Sequence, residues 1–294
     1  WKTFQSDKLN KVIADAFAAS PTLVAAQAAL KAAHEQTRAQ QGAFFPLVQG
    51  AYQGARKRDA VGTIAPSLTS NAEIYSLHTA QVTVSYAPDV FGLNRRQVES
   101  LRAAEDAQYF QLEAAQLTLA SNIVAAAVQE ASLRAQIDAQ QRIVDINTQL
   151  VDNLHKQFAF GAITGLDVAA AQTALAQAEQ ALPNLQKQLA VQRDLLSALA
   201  GKLPSEGIPE TFTFADFTLP QELPVSLPSD LVRQRPDVRA AEEQLHAATA
   251  QVGVAIANML PQLTLSATRG GTASQFSQMF QQGNVFWSLV GGVA

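Results

Sequence analysis

The side chains that most often carry chemistry are few in this chain, and their spacing does not suit catalysis. The chain has no cysteine, which excludes a disulfide framework, a thiolate metal site and a cysteine nucleophile. Four histidines stand far apart without the spacing of a metal-binding motif: His34, His78, His155 and His246. Neither a nucleophile-elbow serine nor a phosphate-binding glycine loop occurs. The sequence therefore predicts no enzyme activity, no metal site and no cofactor.

Several aspartate and glutamate side chains could act through their charge, although none has the spacing of a catalytic pair. Asp145, Asp152 and Asp167 fall near a predicted turn, where they would bind a cation, line an entrance or simply face water. The pairs Glu105-Asp106 and Glu242-Glu243 fall on predicted helix surfaces and show no catalytic signature.

The composition favours close-packed helices with uncharged polar faces. Of the residues, 48% are hydrophobic and only 16% are charged, whereas an average soluble domain is about 25% charged. The net charge of −4 argues against nucleic acid as a partner, which would need a basic face. No apolar run reaches the length of about 18 residues that a transmembrane helix needs.

Two segments, 244–268 and 270–294, contain no Asp, Glu, Lys or Arg but are broken by other polar residues. That mixture suits barrel strands, which face lipid on one side and a polar lumen on the other, and it suits an uncharged loop equally well. The chain begins at Trp1 with neither Met nor a charged or apolar leader, so we expect a processed N-terminus.

An internal repeat organises the sequence. The segment from Pro21 to Pro46 aligns without a gap with the segment from Pro236 to Pro261. Each copy begins with proline, which suits the first position of a helix because its missing N–H needs no partner there. We expect one helix in each copy, ending before the second proline.

Strand-like alternation follows each of these helices. Apolar and small polar residues alternate over 81–86 and over 263–268, which is typical of strands with one apolar face. A loop is predicted over 58–71, and the breaker cluster 88–92 ends the first hairpin.

A long helical hairpin fills the middle of the chain. Its first helix is predicted over 93–155 and would be about 95 Å long, at about 1.5 Å per residue. The turn 158–167 has Gly161 for a left-handed conformation and a capping box that begins at Thr164. A globular domain does not need such a helix, so we expect it to bridge a distance.

The return helix is predicted from about 166 to 200, and Pro183 predicts a kink or a local break within it. A proline-rich connector follows over 202–236, with a possible short strand at 211–214.

These residues together resemble the TolC-like outer-membrane factors of Gram-negative tripartite efflux pumps, in particular the lipoprotein branch of that family. The most specific stretch is 227–245, continuing through 250–255 to Pro261. The junction 86–96 and the turn 161–168 also look like the family's, as does the opening Trp1-x-x-Phe4. The resemblance covers essentially the whole chain in order.

The resemblance implies a fold that is mainly α with a membrane β portion, assembled as a homotrimer. Each protomer would give four strands to one shared trimeric β-barrel and long antiparallel helical hairpins to a periplasmic α-barrel. The implied function is a passive exit duct in the outer membrane that extends into the periplasm. Implied partners are outer-membrane lipid, a periplasmic membrane-fusion adaptor and, indirectly, an inner-membrane pump.

The same resemblance assigns roles to residues. The periplasmic tip, where the adaptor would dock, comprises Phe158, Phe160, Gly161, Thr164 and Asp167. The junction between barrel and tunnel comprises Tyr86, Pro88, Asp89, Gly92, Arg95 and Arg96. The tip residues have a second interpretation, in which they form a turn that reverses the chain and bind no adaptor. The junction residues also have two interpretations. They form only a turn between a strand and a helix, or they act near lipid headgroups or in the lumen.

Seven segments follow from the resemblance. They are 1–20, a periplasmic N-terminal segment; 21–45, a short tunnel helix; 46–92, a barrel hairpin; 93–201, the long hairpin; 202–235, an equatorial connector; 236–260, a second short tunnel helix; and 261–294, the truncated start of a second barrel hairpin. Against the family's two full repeats, we expect the second copy to be incomplete. The resemblance also implies a lipidated cysteine, which would stand upstream of Trp1, the first residue of the sequence.

Long helical hairpins also fit another class of protein, a soluble periplasmic coiled-coil adaptor or scaffold. Such a protein needs no membrane strands. A lipid-binding amphipathic helix fits poorly, because the helices lack aromatic faces flanked by Lys and Arg. The substrate of the pump and the identity of the partner pump leave no mark in the sequence.

Overall fold

The computed structural model describes residues 1–58, 74–219 and 228–294. These residues contain six α-helices: α1 (Asp7–Ala19), α2 (Pro21–Gln41), α3 (Leu93–Ala159), α4 (Gly165–Leu199), α5 (Pro228–Gln234) and α6 (Pro236–Asn258). They also contain four strands: β1 (Leu47–Arg58), β2 (Ile74–Tyr86), β3 (Leu263–Ala273) and β4 (Val285–Val293). The loop predicted over 58–71 lies outside the described residues apart from Arg58.

The described residues divide into two compact units. The helical unit comprises Trp1–Leu30 and Tyr109–Arg239, and the sheet unit comprises Lys31–Gln108 and Ala240–Ala294.

Proline marks the start of both predicted short helices. Pro21 is the first residue of α2 and Pro236 is the first residue of α6. Pro46 and Pro261 stand between these helices and the strands β1 and β3. The helix, the proline and two strands therefore occur twice in the same order.

Two helices, α1 and α5, are absent from the sequence-based expectations. In α1 the hydroxyl of Ser6 accepts a hydrogen bond from the N–H of Leu9 (3.4 Å), which caps the helix start. The buried residues of α1 recur at helical spacing: Leu9, Val12, Ile13 and Ala16. The seven residues of α5 lie in the connector and are too few for a periodic pattern.

The central hairpin is longer than predicted on its first arm, since α3 runs for 67 residues. Glutamine side chains join its two arms. Gln140 Nε2 donates to the carbonyl of Ala178 (2.8 Å), and Gln192 Nε2 donates to the carbonyl of Ala126 (3.0 Å). Polar groups that bond to backbone in this way let alanine-rich helices approach closely without charged pairs.

Of the kink or local break predicted at Pro183, the break is absent, because α4 runs unbroken from Gly165 to Leu199. The kink stays a prediction. Proline removes one N–H donor, but α4 has 35 residues and is bonded to α3 at Ala178 and at Gln192. Those contacts on both sides of the proline hold the helical path.

The four strands form one antiparallel sheet in the order β1-β2-β3-β4. Residues 261–294, expected to hold only the start of a hairpin, contain two paired strands, with Leu263 opposite Val293 and Gly271 opposite Val285. Within the described residues, β1 and β4 are the edges of the sheet and have no outer neighbour.

The core of the helical unit is formed by α1, α3, α4 and the connector. Phe212 and Ile208 of the connector are buried in it. The strand predicted at 211–214 is wrong. Asp216 Oδ2 accepts from both the N–H and the hydroxyl of Thr213 (2.8 Å each), which closes a 3-10 turn there.

A buried ion cluster lies in the same unit. Glu130 is fully buried, and its Oε1 accepts from Arg134 Nη2 (2.7 Å) and Arg193 Nη1 (3.0 Å). Arg193 Nη2 also donates to the carbonyl of Ile208 (2.9 Å). Because a buried carboxylate needs such partners, the cluster ties α3, α4 and the connector together.

Replacing Phe212 by Ala should lower the free energy of unfolding by about 3–5 kcal/mol, because it leaves a cavity in this core. Phe214→Ala, two residues away, is the control, since 56% of that residue is exposed. Denaturant unfolding followed by circular dichroism measures both variants. Equal losses would show that the connector does not pack as described.

Candidate functional site

The register of the strands sorts side chains onto two faces of the sheet. Residues opposite each other in an antiparallel pair point to the same side, and neighbours along a strand point to opposite sides. One face, called the polar face, carries these uncharged polar residues: Gln49, Gln53, Thr79, Gln81, Thr83, Ser85, Thr264, Ser266, Thr268, Thr272 and Ser288. Other residues on this face include the basic Lys57 and five apolar or aromatic residues, namely Leu47, Tyr75, Leu77, Phe286 and Val290.

The opposite side, called the apolar face, is dominated by aliphatic and aromatic residues. Those with large side chains are Val48, Tyr52, Ile74, Val82, Val84, Tyr86, Leu263, Leu265, Val285, Trp287, Leu289 and Val293. Its polar and basic residues are Arg56, Arg58, Ser76, His78 and Arg269. The alternation predicted over 81–86 and 263–268 is thus present on both central strands. A sheet with these faces suits a boundary between water and an apolar medium.

Side-chain hydrogen bonds confirm which residues share a face. On the polar face, Thr83 Oγ1 and Thr268 Oγ1 lie 3.2 Å apart, within hydrogen-bond distance. On the apolar face, the hydroxyl of Tyr52 and Nδ1 of His78 lie 2.8 Å apart. Each of these pairs joins two strands.

The turn between β2 and α3 is built around one carboxylate. Asp89 Oδ1 accepts from the N–H of Asn94 (3.0 Å), and Oδ2 accepts from the N–H of Arg95 (3.0 Å) and from Arg95 Nε (3.3 Å). These N–H groups belong to the first turn of α3 and have no partner within the helix. Gly92, with φ of 82°, supplies the left-handed residue that the turn requires.

The other predicted junction residues flank this turn. Tyr86 ends β2 on the apolar face, opposite Leu265, and the carbonyl of Pro88 accepts from the N–H of Val90. Arg96 pairs with Glu99 on α3 (Nη1 to Oε2, 2.6 Å). The structure brings the junction residues together as a strand-to-helix turn; a role near lipid headgroups or in the lumen stays a prediction.

The hairpin turn is held by its predicted residues. Gly161 has φ of 71°, and Asp167 Oδ2 accepts from both the N–H (3.0 Å) and the hydroxyl (2.7 Å) of Thr164. These two bonds, the hydroxyl's first, lower the pKa of Asp167 below its usual range because they stabilise the charged form.

The end of the hairpin presents exposed apolar side chains. Phe160 is 89% exposed, Leu166 is 78% exposed and Phe158 is 50% exposed. The sequence analysis included both phenylalanines but missed Leu166, which directly follows the start of α4. Asp145 and Asp152 do not join Asp167 in a cluster. Among the described residues, no group of three or more His, Cys, Asp or Glu side chains could hold a metal ion.

A charged cluster in the sheet unit was missed by sequence reasoning. His246 of α6 lies between Glu99 of α3 (Nε2 to Oε1, 3.3 Å) and Glu243 (Nδ1 to Oε2, 3.4 Å). Hydrogen bonds to Glu99 and then to Glu243 raise the pKa of His246 above its ordinary value. Burial and then the nearby Glu243 raise the pKa of Asp106. Because α3 and α6 are far apart in sequence, no local spacing reveals this cluster.

Elsewhere on α3, Glu105 Oε1 lies 2.8 Å from Nδ1 of His34 of α2. A cavity of about 670 Å³ opens beside His246 and Asp106, and Phe44 and Phe45 line its apolar side.

In the described segments, no single helix combines the length and the apolar character needed to cross a membrane. The bent pair formed by Asp7–Ala19 and Pro21–Phe44 meets both requirements together, by length and composition only.

Comparisons with known proteins agree on one family. The family described as outer membrane efflux protein matches residues 12–202 and 227–290. The chain is 29% identical over 296 residues to the pyoverdine export outer membrane protein OpmQ of Pseudomonas putida, covering 100% of this chain and 62% of OpmQ. It is 29% identical over 259 residues to the toluene efflux pump outer membrane protein TtgI of Pseudomonas putida, covering 86% and 53%. The chain thus spans between about half and two thirds of these relatives.

Solved structures agree with the sequence relatives. The outer-membrane channel OprN superposes with a TM-score of 0.89 at 26% identity, covering all of this chain and 65% of OprN. The outer membrane protein VceC of Vibrio cholerae gives a TM-score of 0.88 at 26% identity, covering all of this chain and 69% of VceC. The mainly helical chain with a four-stranded antiparallel sheet has the fold of these channels.

Replacing Asp167 by Ala should loosen the hairpin turn, because both Thr164 donors lose their acceptor. Amide hydrogen exchange over 164–168 should speed up near neutral pH, and Asp152→Ala, which removes an exposed carboxylate without a cap, should leave it unchanged. In the parent chain the lowered pKa means that the cap is fully present above the usual carboxylate pKa and is lost as the pH falls through the lowered value. Equal exchange in both variants would count against the cap.

Glu99→Gln should move the pKa of His246 down toward its ordinary value, because it removes the largest cause of the increase. The interaction of His246⁺ with the carboxylates stabilises the fold fully below the unfolded pKa of about 6.5 and is lost as the pH rises through the raised pKa. Following the NMR chemical shifts of the imidazole protons against pH measures the pKa of His246. Glu242→Gln, on the exposed side of α6, is the control, and an equal shift in both variants would contradict the pairing.

Proposed function

Because the chain belongs to the outer membrane efflux protein family, whose members are non-enzymatic transport components of the outer membrane, we propose that it forms part of a passive exit duct of a tripartite efflux pump. The observation that carries the proposal is the sheet, with a polar face that carries mainly Gln, Thr and Ser on one side and an apolar face on the other.

In this proposal the sheet spans the outer membrane, with its apolar face toward lipid and its polar face toward a water-filled lumen. Strand edges cannot stay open in hydrocarbon, because unpaired N–H and C=O groups there are too costly. The edges β1 and β4 lack outer neighbours among the described residues. Three copies joined edge to edge into one closed barrel would remove every open edge, so we propose a homotrimer that shares a barrel.

The duct would conduct without binding its cargo tightly. Its sheet wall offers Gln, Thr and Ser groups, which keep the lumen wet and favour neither sign of charge. Relatives of this chain are named for pyoverdine export and for toluene efflux. A wall of this kind leaves selection and energy supply to an inner-membrane pump.

We assign the helical hairpin to the periplasmic side, with its turn as the docking end for a membrane-fusion adaptor. Exposed Phe160 and Leu166 support this role, because they offer an apolar contact on a turn fixed by Gly161 and by the Thr164–Asp167 bonds. Docking and chain reversal are then two roles of one turn. In the same scheme 1–20 is a periplasmic N-terminal segment and 202–235 is an equatorial connector.

We further propose that the chain contains an internal repeat, in which 21–45 and 236–260 are corresponding tunnel helices. The support is the twice-repeated order of a helix that begins with proline, a second proline and a hairpin of strands. Residues 46–92 and 261–294 are then corresponding barrel hairpins.

Reconstitution into planar bilayers tests the proposed function, with two aspartate substitutions at adjacent positions. Thr83→Asp on the polar face should insert normally and shift the reversal potential in a KCl gradient toward cation selectivity. Val84→Asp on the apolar face should reduce insertion and yield of the oligomer, because a charge then faces lipid.

A monomer that is soluble without detergent and gives no conductance would contradict the proposal and favour the periplasmic scaffold. Equal effects of Thr83→Asp and Val84→Asp on insertion would contradict the assignment of the two faces.

A further inference from the structure

Arg269 is a basic residue within the apolar face of the sheet; Arg56 and Arg58 lie on the same face, but where β1 and β2 extend beyond β3. Arg269 is in β3, opposite Val82 of β2 and opposite Trp287 of β4. From the start of β3 as far as Arg269, every other residue on this face is apolar, aromatic or glycine. These residues are Val48, Gly50, Val82, Val84, Tyr86, Leu263, Leu265, Ala267, Trp287, Leu289, Gly291 and Val293.

The connection between β3 and β4 covers the apolar face just beyond Arg269. A side chain at Gly271, the next β3 residue on this face, would collide with the backbone carbonyl of Met279. Further along, the Phe276 ring packs edge-on against Tyr52 (centroids 5.7 Å apart) and His78 (6.3 Å). Arg269 is therefore the last β3 side chain on the uncovered part of the apolar face.

The guanidinium of Arg269 has no hydrogen bond, ion pair or ring contact within the described residues, and the residue is exposed. A charged side chain on a lipid-facing surface is costly at the bilayer centre and nearly neutral at its boundary. The long apolar stem allows the charge to reach that boundary. Its position beside the covering connection puts Arg269 at the end of the band where such a boundary would lie.

We propose that Arg269, with Trp287 beside it, binds the phosphate of an anionic lipid headgroup in the outer leaflet. The inference rests on the proposed function, since it requires the apolar face to contact lipid. A guanidinium offers a planar fork of donors that matches two phosphate oxygens. Trp287 is 77% exposed, and an indole at a membrane boundary places its ring in the apolar layer and its N–H near headgroups.

The surroundings favour a lipid over a free phosphate ion. Val82 and Trp287 flank Arg269, and the residues below it on the sheet are apolar, so the acyl chains of a lipid would lie along the same face. A free ion would gain only one guanidinium there and would lose much of its hydration.

Fluorescence quenching of Trp287 by lipids with brominated acyl chains tests the inference. The chain has two tryptophans, so Trp1→Phe leaves Trp287 as the single reporter. In vesicles that mix brominated phosphatidylglycerol or brominated phosphatidylcholine with unbrominated lipid, the phosphatidylglycerol should bind beside Trp287 about fivefold better. Arg269→Ala should abolish this preference, and Arg269→Lys should retain part of it.

Lys57→Ala is the matched control, because Lys57 is a basic residue of the same sheet on the polar face. It should keep the full preference for phosphatidylglycerol. Inorganic phosphate added to the buffer should not reduce that preference.

Equal quenching by the two lipids in the Trp1→Phe chain, or an unchanged preference in Arg269→Ala, would overturn the inference. Loss of the preference on adding inorganic phosphate would show that the site takes a free ion instead. Absence of quenching by either lipid would overturn the proposed function as well, whereas conductance with equal quenching would overturn the lipid site alone.

Discussion

The constraint on which the rest of this structure depends is the single register that separates polar from apolar side chains across four strands. Because side chains alternate with a period of two, a slip of one residue would exchange the faces along a whole strand. Threonine pairs such as Thr83 with Thr268 hold the two central strands in that register. The turn that follows β2 must then begin α3 at a fixed point, and Asp89 does so by capping its first N–H groups.

The helical unit meets a different requirement, which is close packing with little charge. Alanine allows helices to approach, and Gln140 and Gln192 bond across the hairpin to backbone carbonyls. The one fully buried carboxylate among the described residues, that of Glu130, is held by Arg134 and Arg193. Buried charge in the described part of this unit is thereby confined to one cluster of opposite charges, and the rest of its core is apolar. Walls of this kind suit a duct whose contents vary, because they do not trap one sign of charge.

The sequence predicted those parts of the fold that a few neighbouring residues decide, such as the starts of helices. Pro21 and Pro236 begin helices because the first helical position has no use for an N–H. The same local reasoning failed where packing decides. It allowed a break at Pro183, where α4 continues, and it predicted a strand at 211–214, where Asp216 closes a turn. The isolation of Arg269 was equally out of reach, since it depends on pairing between strands that are distant in sequence. Local chemistry thus fixes where elements begin, and long-range contacts decide which side chains meet.

The most direct test of the account is a cysteine scan along β2, for which the absence of native cysteine gives a clean background. Single cysteines at 79–84, in protein reconstituted into vesicles, are exposed to a water-soluble maleimide and, after labelling with a fluorophore, to brominated lipid. Cysteines at 79, 81 and 83 should react with maleimide, and fluorophores at 82 and 84 should be quenched by lipid. Position 80 lies opposite Gly271, under the connection between β3 and β4, and should be quenched less. Uniform reactivity along the strand, or quenching without a period of two, would contradict the account.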